Sequence, residues 1–314
     1  MKKLSVVICV YNEEPNIIPL SEQIRDALKG VDYEAIFVDD GSTDGTRDRV
    51  RQIRDERFIL VELKRNYGQS SALQAGIDQA SGEYVVLIDG DLQNDPADIP
   101  GMLQKAETEG WDMVAGVRAN RRDGMFLRKV PSKIANYIIR QSTGTQMKDL
   151  GCTLKVFARD AIKNIHIYGE LHRFIPVLLA LEGYVKLTQM DVNHRSRSFG
   201  KSKYNLSRTS RVISDLLLML FLKKYLQRPM HLFGQLGMIT FGVGLVINLY
   251  LLIYKLLGHD IGGKPLLLLG IVLVIAGIQF ITTGILAEML MRTYFEGQDK
   301  KPYRVNRVDN TGDA

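Results

Sequence analysis

The stretch YVVLIDGDLQNDP, residues Tyr84–Pro96, is an apolar run that ends abruptly in two aspartates separated by one glycine. Its aliphatic and β-branched residues predict a strand buried on both faces, with Asp89 and Asp91 at its carboxyl end. Two neighbouring carboxylates at the end of a buried strand are costly unless a positive group lies between them. The stretch therefore predicts a strand of a covered sheet and, at its end, a place for a cation.

Three similar apolar runs, LSVVICVY, YEAIFVDD and FILVELKRN, precede this stretch and alternate with segments of helical pattern. Alternating strands and helices predict a mostly parallel sheet with right-handed crossovers. Ligands of such sheets bind at the carboxyl ends of the strands. Each of the four strands ends in polar residues, which we expect to meet along one rim: Tyr11–Glu13, Asp39–Asp40, Arg65–Asn66 and Asp89–Asp91.

The composition narrows the class of protein without deciding it. The chain has 314 residues, enough for more than one structural unit, and its net charge of +6 is a mild basic excess. The two cysteines, Cys9 and Cys152, form neither a disulfide framework nor a metal-binding spacing. Because the basic residues cluster beside apolar segments rather than on an aromatic strand face, we expect no nucleic-acid partner.

Two long segments near the C-terminus lack Asp, Glu, Lys and Arg: residues 230–254 and 266–287. Each exceeds the roughly 20 residues that cross a bilayer, and a short link joins them. We therefore predict a transmembrane hairpin with helices at 230–256 and 265–289. Basic residues flank its outer ends, and no signal peptide precedes the first strand. Both termini are expected in the cytoplasm, in an integral protein of the plasma (inner) membrane.

The predicted organisation follows from these patterns. An α/β domain spans 1–204, a juxtamembrane amphipathic helix 205–228, the hairpin 229–290 and a cytoplasmic tail 291–314. Within the first domain, the segment 126–140 (FLRKVPSKIANYIIR) mixes apolar and basic residues at helical spacing. It is either an ordinary surface helix or a helix at the membrane interface.

The aspartate pair favours a hard divalent cation. Residues two apart at a strand end point the same way, and Gly90 lets another group approach closely. Oxygen ligands suit Mg²⁺ or Mn²⁺, which keep positions open for substrate phosphates. An acidic turn is the plain alternative, while a calcium loop fails because Asn94 stands where that pattern needs glycine.

A second acidic strand end, Asp39-Asp40, is by itself either a capped turn or part of a nucleotide site. Its position beside the first pair across one sheet favours the nucleotide. The chain contains neither GxxxxGK[ST] nor a GxGxxG after a strand, which argues against an NTPase or a Rossmann dehydrogenase.

Four motifs, VVICVYNEE, VDDGSTDGT, KRNYGQSSALQAGID and IDGDLQNDP, resemble in order and spacing the family 2 glycosyltransferases with the GT-A fold. With the hairpin, the chain is similar over about residues 1–305 to the polyprenyl-phosphate branch: dolichol-phosphate mannosyltransferases, bactoprenol glucosyltransferases and undecaprenyl-phosphate aminoarabinose transferases. The resemblance implies inverting, metal-dependent transfer of a hexose or related sugar from a UDP- or GDP-sugar to an undecaprenyl or dolichyl phosphate. Membrane lipid is a further expected partner, and a homo-oligomer is left open.

The resemblance also implies the site residues. The nucleotide-binding set is Val10, Tyr11, Glu13, Asp39, Asp40, Gly68, Asp89, Gly90, Asp91, Arg197 and Lys203. The metal set is Asp89, Asp91 and Gln93, with Mg²⁺ or Mn²⁺ as cofactor. The lipid-phosphate set is Arg118, Arg128 and Ser132. The catalytic set is Asp149, Asp91 and Arg197.

The catalytic base departs from the pattern of part of the family. Where those relatives have Thr-Gly-Asp-Phe, this chain has Leu150-Gly151-Cys152-Thr153, so the expected carboxylate is absent. Asp149, just upstream, is the candidate base, and a structural role in the turn is its alternative.

Two other functions are weighed against this one. A processive polysaccharide synthase would carry Gln-x-x-Arg-Trp, but Trp111, the single tryptophan, lies in EGWDMV. A non-catalytic membrane scaffold that keeps only the fold is the other alternative, and the retained aspartates and Arg197 argue against it.

Overall fold

The computed structural model describes residues 2–118, 147–169, 171–184, 186–195, 221, 225 and 229–297. The chain divides into two compact units, Met1–Met219 and Leu220–Ala314. The predicted helix at 126–140, nearly all of 205–228 and the tail beyond 297 lie outside the described residues. The predicted domain boundaries therefore stay predictions.

A single sheet organises the first unit, and the predicted, mostly parallel arrangement is confirmed. In the described part its strand order is β3-β2-β1-β4-β6-β5-β7. Only β6 runs antiparallel to its neighbours β4 and β5. The strands are β1 Leu4–Val10, β2 Tyr33–Asp39, β3 Phe58–Glu62, β4 Tyr84–Asp89, β5 Met113–Arg118, β6 Lys155–Ala158 and β7 Leu187–Val192.

Helices of the first unit cover the sheet. They are α1 Ile17–Ala27, α2 Thr46–Arg51, α3 Gln69–Gln79, α4 Ile99–Glu109, α5 Arg159–Lys163 and α6 Ile175–Leu181. Helix α1 shows why: Ile17, Leu20 and Ile24 recur at helical spacing and are fully buried. Because apolar residues cover both faces, β1 and β2 are buried over nearly their whole length.

The strand register brings the polar strand ends to one rim. Val10 pairs with Asp39, and Cys9 pairs with Asp89, so β1, β2 and β4 end at the same level. The reversed strand β6 begins at this rim, since Lys155 pairs with Leu87. The chain thus leaves the sheet at the end of β5 and re-enters it at the start of β6 along one edge.

The second unit contains two long apolar helices, α7 Pro229–Leu256 and α8 Pro265–Gly297. The segments Pro229–Leu256 and Pro265–Met291 are long and apolar enough to cross a membrane, which confirms the predicted helical pair. The helices pack closely through glycine, because a Cβ on Gly244 would lie 2.7 Å from the backbone nitrogen of Val274. Most of their large apolar side chains remain exposed.

Candidate active site

A cavity of about 480 Å³ opens along the rim of the first unit. Residues from β1, β4, β6 and α3 line it together with the loops that follow β2, β3 and β4. Nine of the predicted site residues lie on its wall: Tyr11, Glu13, Asp40, Gly68, Asp89, Gly90, Asp91, Gln93 and Arg118. Carboxylates cluster at one end of the wall and cationic side chains at the other.

The acidic end, formed by Tyr11, Glu13 and Asp40, is built by two loops that bind each other. The amide of Asn12 donates to Ser42 Oγ at 2.9 Å, and Asn12 Oδ1 accepts from the Thr43 amide at 2.8 Å. Asn12 holds the left-handed φ of 54° that asparagine tolerates better than most residues. These bonds fix Tyr11 and Glu13 against the loop after β2.

Asp40 fastens a third loop to this end. Its two carboxylate oxygens accept from the amides of Tyr67 at 2.7 Å and Gly68 at 2.9 Å. Burial raises the pKa of Asp40 above its ordinary value, while the two amide bonds oppose that rise. The loops after β1, β2 and β3 therefore form one hydrogen-bonded frame around the acidic end.

Two residues predicted for the nucleotide site do not line the cavity. The carboxylate of Asp39 is fully buried and binds Arg47 Nε at 2.6 Å and the Ser42 amide at 3.1 Å. The side chain of Val10 is buried beneath Gly90, where a Cβ on the glycine would lie 2.5 Å from Val10 Cγ1. Gly90 is thus required by the packing of β1 against β4. For Val10 and Asp39, contact with a nucleotide stays a prediction.

The aspartate pair lies in the middle of the cavity wall. Asp89 Oδ1 accepts from Gln69 Nε2 at 2.8 Å, and its Oδ2 accepts from Thr153 Oγ at 2.7 Å. Burial, and then the negative charge of Asp91, raise the pKa of Asp89 to about 6. Two carboxylates that repel each other in a buried position are the donors that a divalent cation would stabilise.

The protein's own groups fit a metal ion that shares its coordination with a substrate. Asp91 is 7% exposed, and Gln93 lies on the same wall. Within the part of the chain that the structure describes, no three His, Cys, Asp or Glu side chains gather to hold an ion by themselves. Asp89 and Asp91 with the Gln93 amide would therefore leave positions for water or phosphate oxygens.

Arg118 and Asp149, predicted for different roles, bind each other. Arg118 Nε and Nη2 donate to the two oxygens of Asp149 at 2.6 and 2.8 Å. The amides of Arg118 and Gly151 also donate to this carboxylate, at 3.4 and 3.1 Å. Both side chains are largely buried, at 14% and 12% exposure. Asp149 itself does not line the cavity, whereas Arg118 does.

The basic end of the cavity is formed by Lys155, His172 and Arg173, none of which was predicted from the sequence. Lys155 is buried at the start of β6, and its ammonium donates to the Cys152 carbonyl. Burial lowers the pKa of Lys155. Arg173 makes no hydrogen bond or ion pair with another residue among those described. The segment 171–174 thus presents a guanidinium to the cavity.

His172 ties the basic end to helix α3. Its Nδ1 lies 2.9 Å from Ser70 Oγ, and its backbone amide donates to the same oxygen at 3.3 Å. Burial, and then the nearby Arg173 and Lys155, lower the pKa of His172 to about 3. The imidazole is therefore neutral, and a Ser70 hydroxyl that donates to Nδ1 leaves the ring proton on Nε2.

Four predicted residues, Arg128, Ser132, Arg197 and Lys203, lie outside the described residues. Of the residues that the sequence did not indicate, Lys155 had a signal, because it is a charged residue in the otherwise apolar strand KVFA. His172 and Arg173 belong to no motif and reach the cavity only through the fold.

Comparisons with known proteins agree with this architecture. The model of the family described as glycosyl transferase family 2 matches residues 5–165. The dodecaprenyl-phosphate galacturonate synthase of Rhizobium johnstonii is 45% identical, over 98% of this chain and 93% of the relative. The undecaprenyl-phosphate 4-deoxy-4-formamido-L-arabinose transferase of Serratia proteamaculans is 37% identical, over 98% and 94%.

Among solved structures, glucosyl-3-phosphoglycerate synthase of Mycobacterium tuberculosis with Mn²⁺ and UDP-glucose superposes with a TM-score of 0.56. That match covers 70% of this chain and 79% of the other at 21% identity, which supports the fold alone. The family model spans just over half of the chain, and the two relatives span nearly all of it. The chain therefore belongs to glycosyl transferase family 2 and is a glycosyltransferase.

Proposed function

We propose that this enzyme transfers a sugar from a nucleoside diphosphate to a polyprenyl phosphate at a membrane surface. The observation that carries the proposal is the cavity that gathers a framed acidic end and the Asp89–Asp91 pair, in a chain that also has two apolar helices of membrane-spanning length. The names of the two relatives, which specify dodecaprenyl and undecaprenyl phosphate, support the lipid acceptor.

The donor nucleoside is proposed to bind at the acidic end. Tyr11 offers a ring for stacking, and the carboxylates of Glu13 and Asp40 accept hydrogen bonds from a base or ribose. Because the loop frame holds Asp40 in place before the donor arrives, binding orders few additional groups.

The donor diphosphate is proposed to lie beside Asp89 and Asp91. A bound Mg²⁺ or Mn²⁺ would neutralise the negative charge that grows on the diphosphate as the sugar departs. Gln69 and Thr153 hold the Asp89 carboxylate, so its orientation is fixed before the donor binds. Asp91 Oδ1 accepts from the backbone amide of Gln93 at 3.2 Å, which orients the second carboxylate.

The acceptor phosphate is proposed to bind at Arg118. Arg128 and Ser132, which lie outside the residues that the structure describes, are proposed to bind it as well. A phosphate monoester has a second pKa of about 6 and is mostly a dianion at neutral pH, so it needs little help from a base. Four donors surround the Asp149 carboxylate, which supports a positioning role for Asp149 toward Arg118 better than the predicted role of base. Direct attack of the phosphate oxygen on the anomeric carbon would break that carbon's bond to the diphosphate oxygen, release the nucleoside diphosphate and invert the anomeric centre.

The membrane arrangement is likewise part of the proposal. Both ends of the helical pair are placed in the cytoplasm, because Lys and Arg flank those ends more densely than the link between α7 and α8. The first unit, which holds the cavity, would then lie on the cytoplasmic side of the membrane.

The test uses the purified full-length protein in lipid nanodiscs with polyprenyl phosphate, Mg²⁺ or Mn²⁺, and a panel of labelled UDP- and GDP-sugars. We expect label from one donor to enter the lipid phase, and expect Asp91→Asn to abolish this transfer. Asp26→Asn, which changes an exposed carboxylate on α1, is the matched control and should transfer normally. Absence of transfer from every donor would contradict the proposal.

A scaffold without catalysis would give a different result in one further measurement. An enzyme of this design should melt at a higher temperature when metal and nucleotide are added together. A scaffold that has lost its site would show no such change.

A further inference from the structure

The order of the strands sets the order of groups along the cavity. From β2 to β6 the sheet runs β2-β1-β4-β6, so Asp40, Tyr11, Asp89 and Lys155 follow one another along the rim. Neighbouring strands are about 4.8 Å apart, which makes this path about 14 Å long. If the nucleoside binds at the acidic end and the diphosphate at the aspartate pair, as in the proposed function, the sugar reaches the basic end.

A neutral sugar at the basic end would leave a positively charged side chain there without a counter-charge. Arg118 forms a bidentate ion pair with Asp149 and is assigned to the acceptor phosphate in the proposed function, but Arg173 has no ion-pair partner among the described residues. Lys155 is 3% exposed, its ammonium donates to the Cys152 carbonyl, and it feels the negative charges of Asp149 and Asp89. Leaving the Arg173 guanidinium in the cavity without a counter-charge is costly, whereas a bound anion offsets that cost.

The guanidinium of Arg173 is held at the cavity by its neighbour. His172 is anchored to Ser70 on α3 through both its ring and its amide, which fixes the backbone immediately before Arg173. An arginine presented in this way suits a planar carboxylate, because two parallel N–H donors match two oxygens.

We propose that the transferred sugar is a uronic acid and that Arg173 binds its carboxylate, with Lys155 adding positive charge to the same end of the cavity. This inference rests on the proposed function, since it assigns the sugar class of the same site. The name of the Rhizobium relative specifies a galacturonate, which carries such a group, while the Serratia relative's name specifies a formamido sugar that lacks it.

The experiment measures binding of donor pairs that differ only at C6. Calorimetry with Mg²⁺ and the full-length protein compares UDP-glucose with UDP-glucuronate, UDP-galactose with UDP-galacturonate, GDP-mannose with GDP-mannuronate, and each with UDP or GDP alone. We expect one uronate to bind about a hundredfold more tightly than its neutral counterpart, because the neutral sugar leaves Arg173 unmatched.

Two variants and a control locate this preference. Arg173→Gln should reduce the preference to about threefold or less, and Arg173→Lys should keep part of it because the charge remains. Affinity for UDP or GDP alone, and KM for polyprenyl phosphate, should stay unchanged in both variants. Arg54→Gln, an exposed arginine that does not line the cavity, should behave like the unaltered protein.

Several outcomes would overturn the inference. Equal or weaker binding of every uronate excludes an anionic sugar. Loss of affinity for the free nucleotide in Arg173→Gln would assign Arg173 to the diphosphate, and a changed acceptor KM alone would assign it to the lipid phosphate. Failure to bind any donor overturns the proposed function as well, whereas binding and transfer without a uronate preference overturn this inference alone.

Discussion

The acidic and basic ends of the cavity hold their charged groups in different ways. At the acidic end, backbone amides from neighbouring loops clamp Asp40, and the loops in turn bind each other. At the basic end, Lys155 and Arg173 reach the cavity as side chains with few polar partners in the described structure. The acidic end is therefore held by the backbone of three loops, whereas the basic end depends on individual side chains.

The largest expected effect on activity comes from substituting Asp91, which lies between the acidic and basic ends of the cavity. Asp91→Asn removes one of the paired negative charges while keeping the size of the side chain, and we expect transfer to fall about a thousandfold or more. The measurement is kcat/KM for the lipid product, with the melting temperature as the check on folding. Retained activity with a normal melting temperature would remove Asp91 from the metal set.

A double-mutant cycle on Arg118 and Asp149 separates a positioning role from a base. If Asp149 acts by holding Arg118, Arg118→Ala and Asp149→Asn should each lower kcat/KM for polyprenyl phosphate about a hundredfold. The double variant should then be no worse than either single one. Independent action of a base would make the two losses multiply, and that result would restore the catalytic role predicted for Asp149.

Because the imidazole of His172 is neutral in the folded protein, the free energy of unfolding should depend on pH. Its pKa is about 3 in the folded protein, below the ordinary value of 6.5, so the unfolded chain binds the proton more readily. The free energy of unfolding should therefore decrease by about 2 kcal/mol between pH 7 and pH 5 from this residue alone. Urea denaturation of the full chain in detergent, followed by fluorescence of Trp111, measures the change.

The control for this prediction is His172→Gln, which cannot take up the proton. Its stability should lose less between pH 7 and pH 5 than that of the unaltered protein. The same pH dependence in both proteins would show that other groups cause it.

The smallest expected effect concerns the link between helix α3 and the basic end. Ser70→Ala removes the hydroxyl that lies 2.9 Å from His172 Nδ1, and we expect a loss of about 1 kcal/mol in unfolding free energy. Because Ser70 does not line the cavity, affinity for UDP or GDP alone should be unchanged. Ser71 is half-buried and its hydroxyl makes a longer bond, at 3.4 Å to the Tyr67 carbonyl, so Ser71→Ala is the matched control.

The sequence predicted the sheet and the acidic end because their signals are local. Apolar runs that end in Asp39-Asp40 and Asp89-Gly90-Asp91 mark both the strand and its carboxyl end within a few residues. The Arg118–Asp149 pair had no such signal, since it depends on where the reversed strand β6 enters the sheet. Arg173 was missed for the same reason, because only tertiary packing brings the 171–174 segment to α3.

The reversal of β6 has an evolutionary consequence. Since β5 ends and β6 begins on the same edge of the sheet, the stretch of chain that connects them starts and finishes beside the cavity. Insertions or deletions in that connection leave the pairing of all strands intact, and the entropy cost of a longer connection grows only slowly with its length. The connection between β5 and β6 can therefore change in length and sequence without altering the strand ends that precede Asp40 and Asp91.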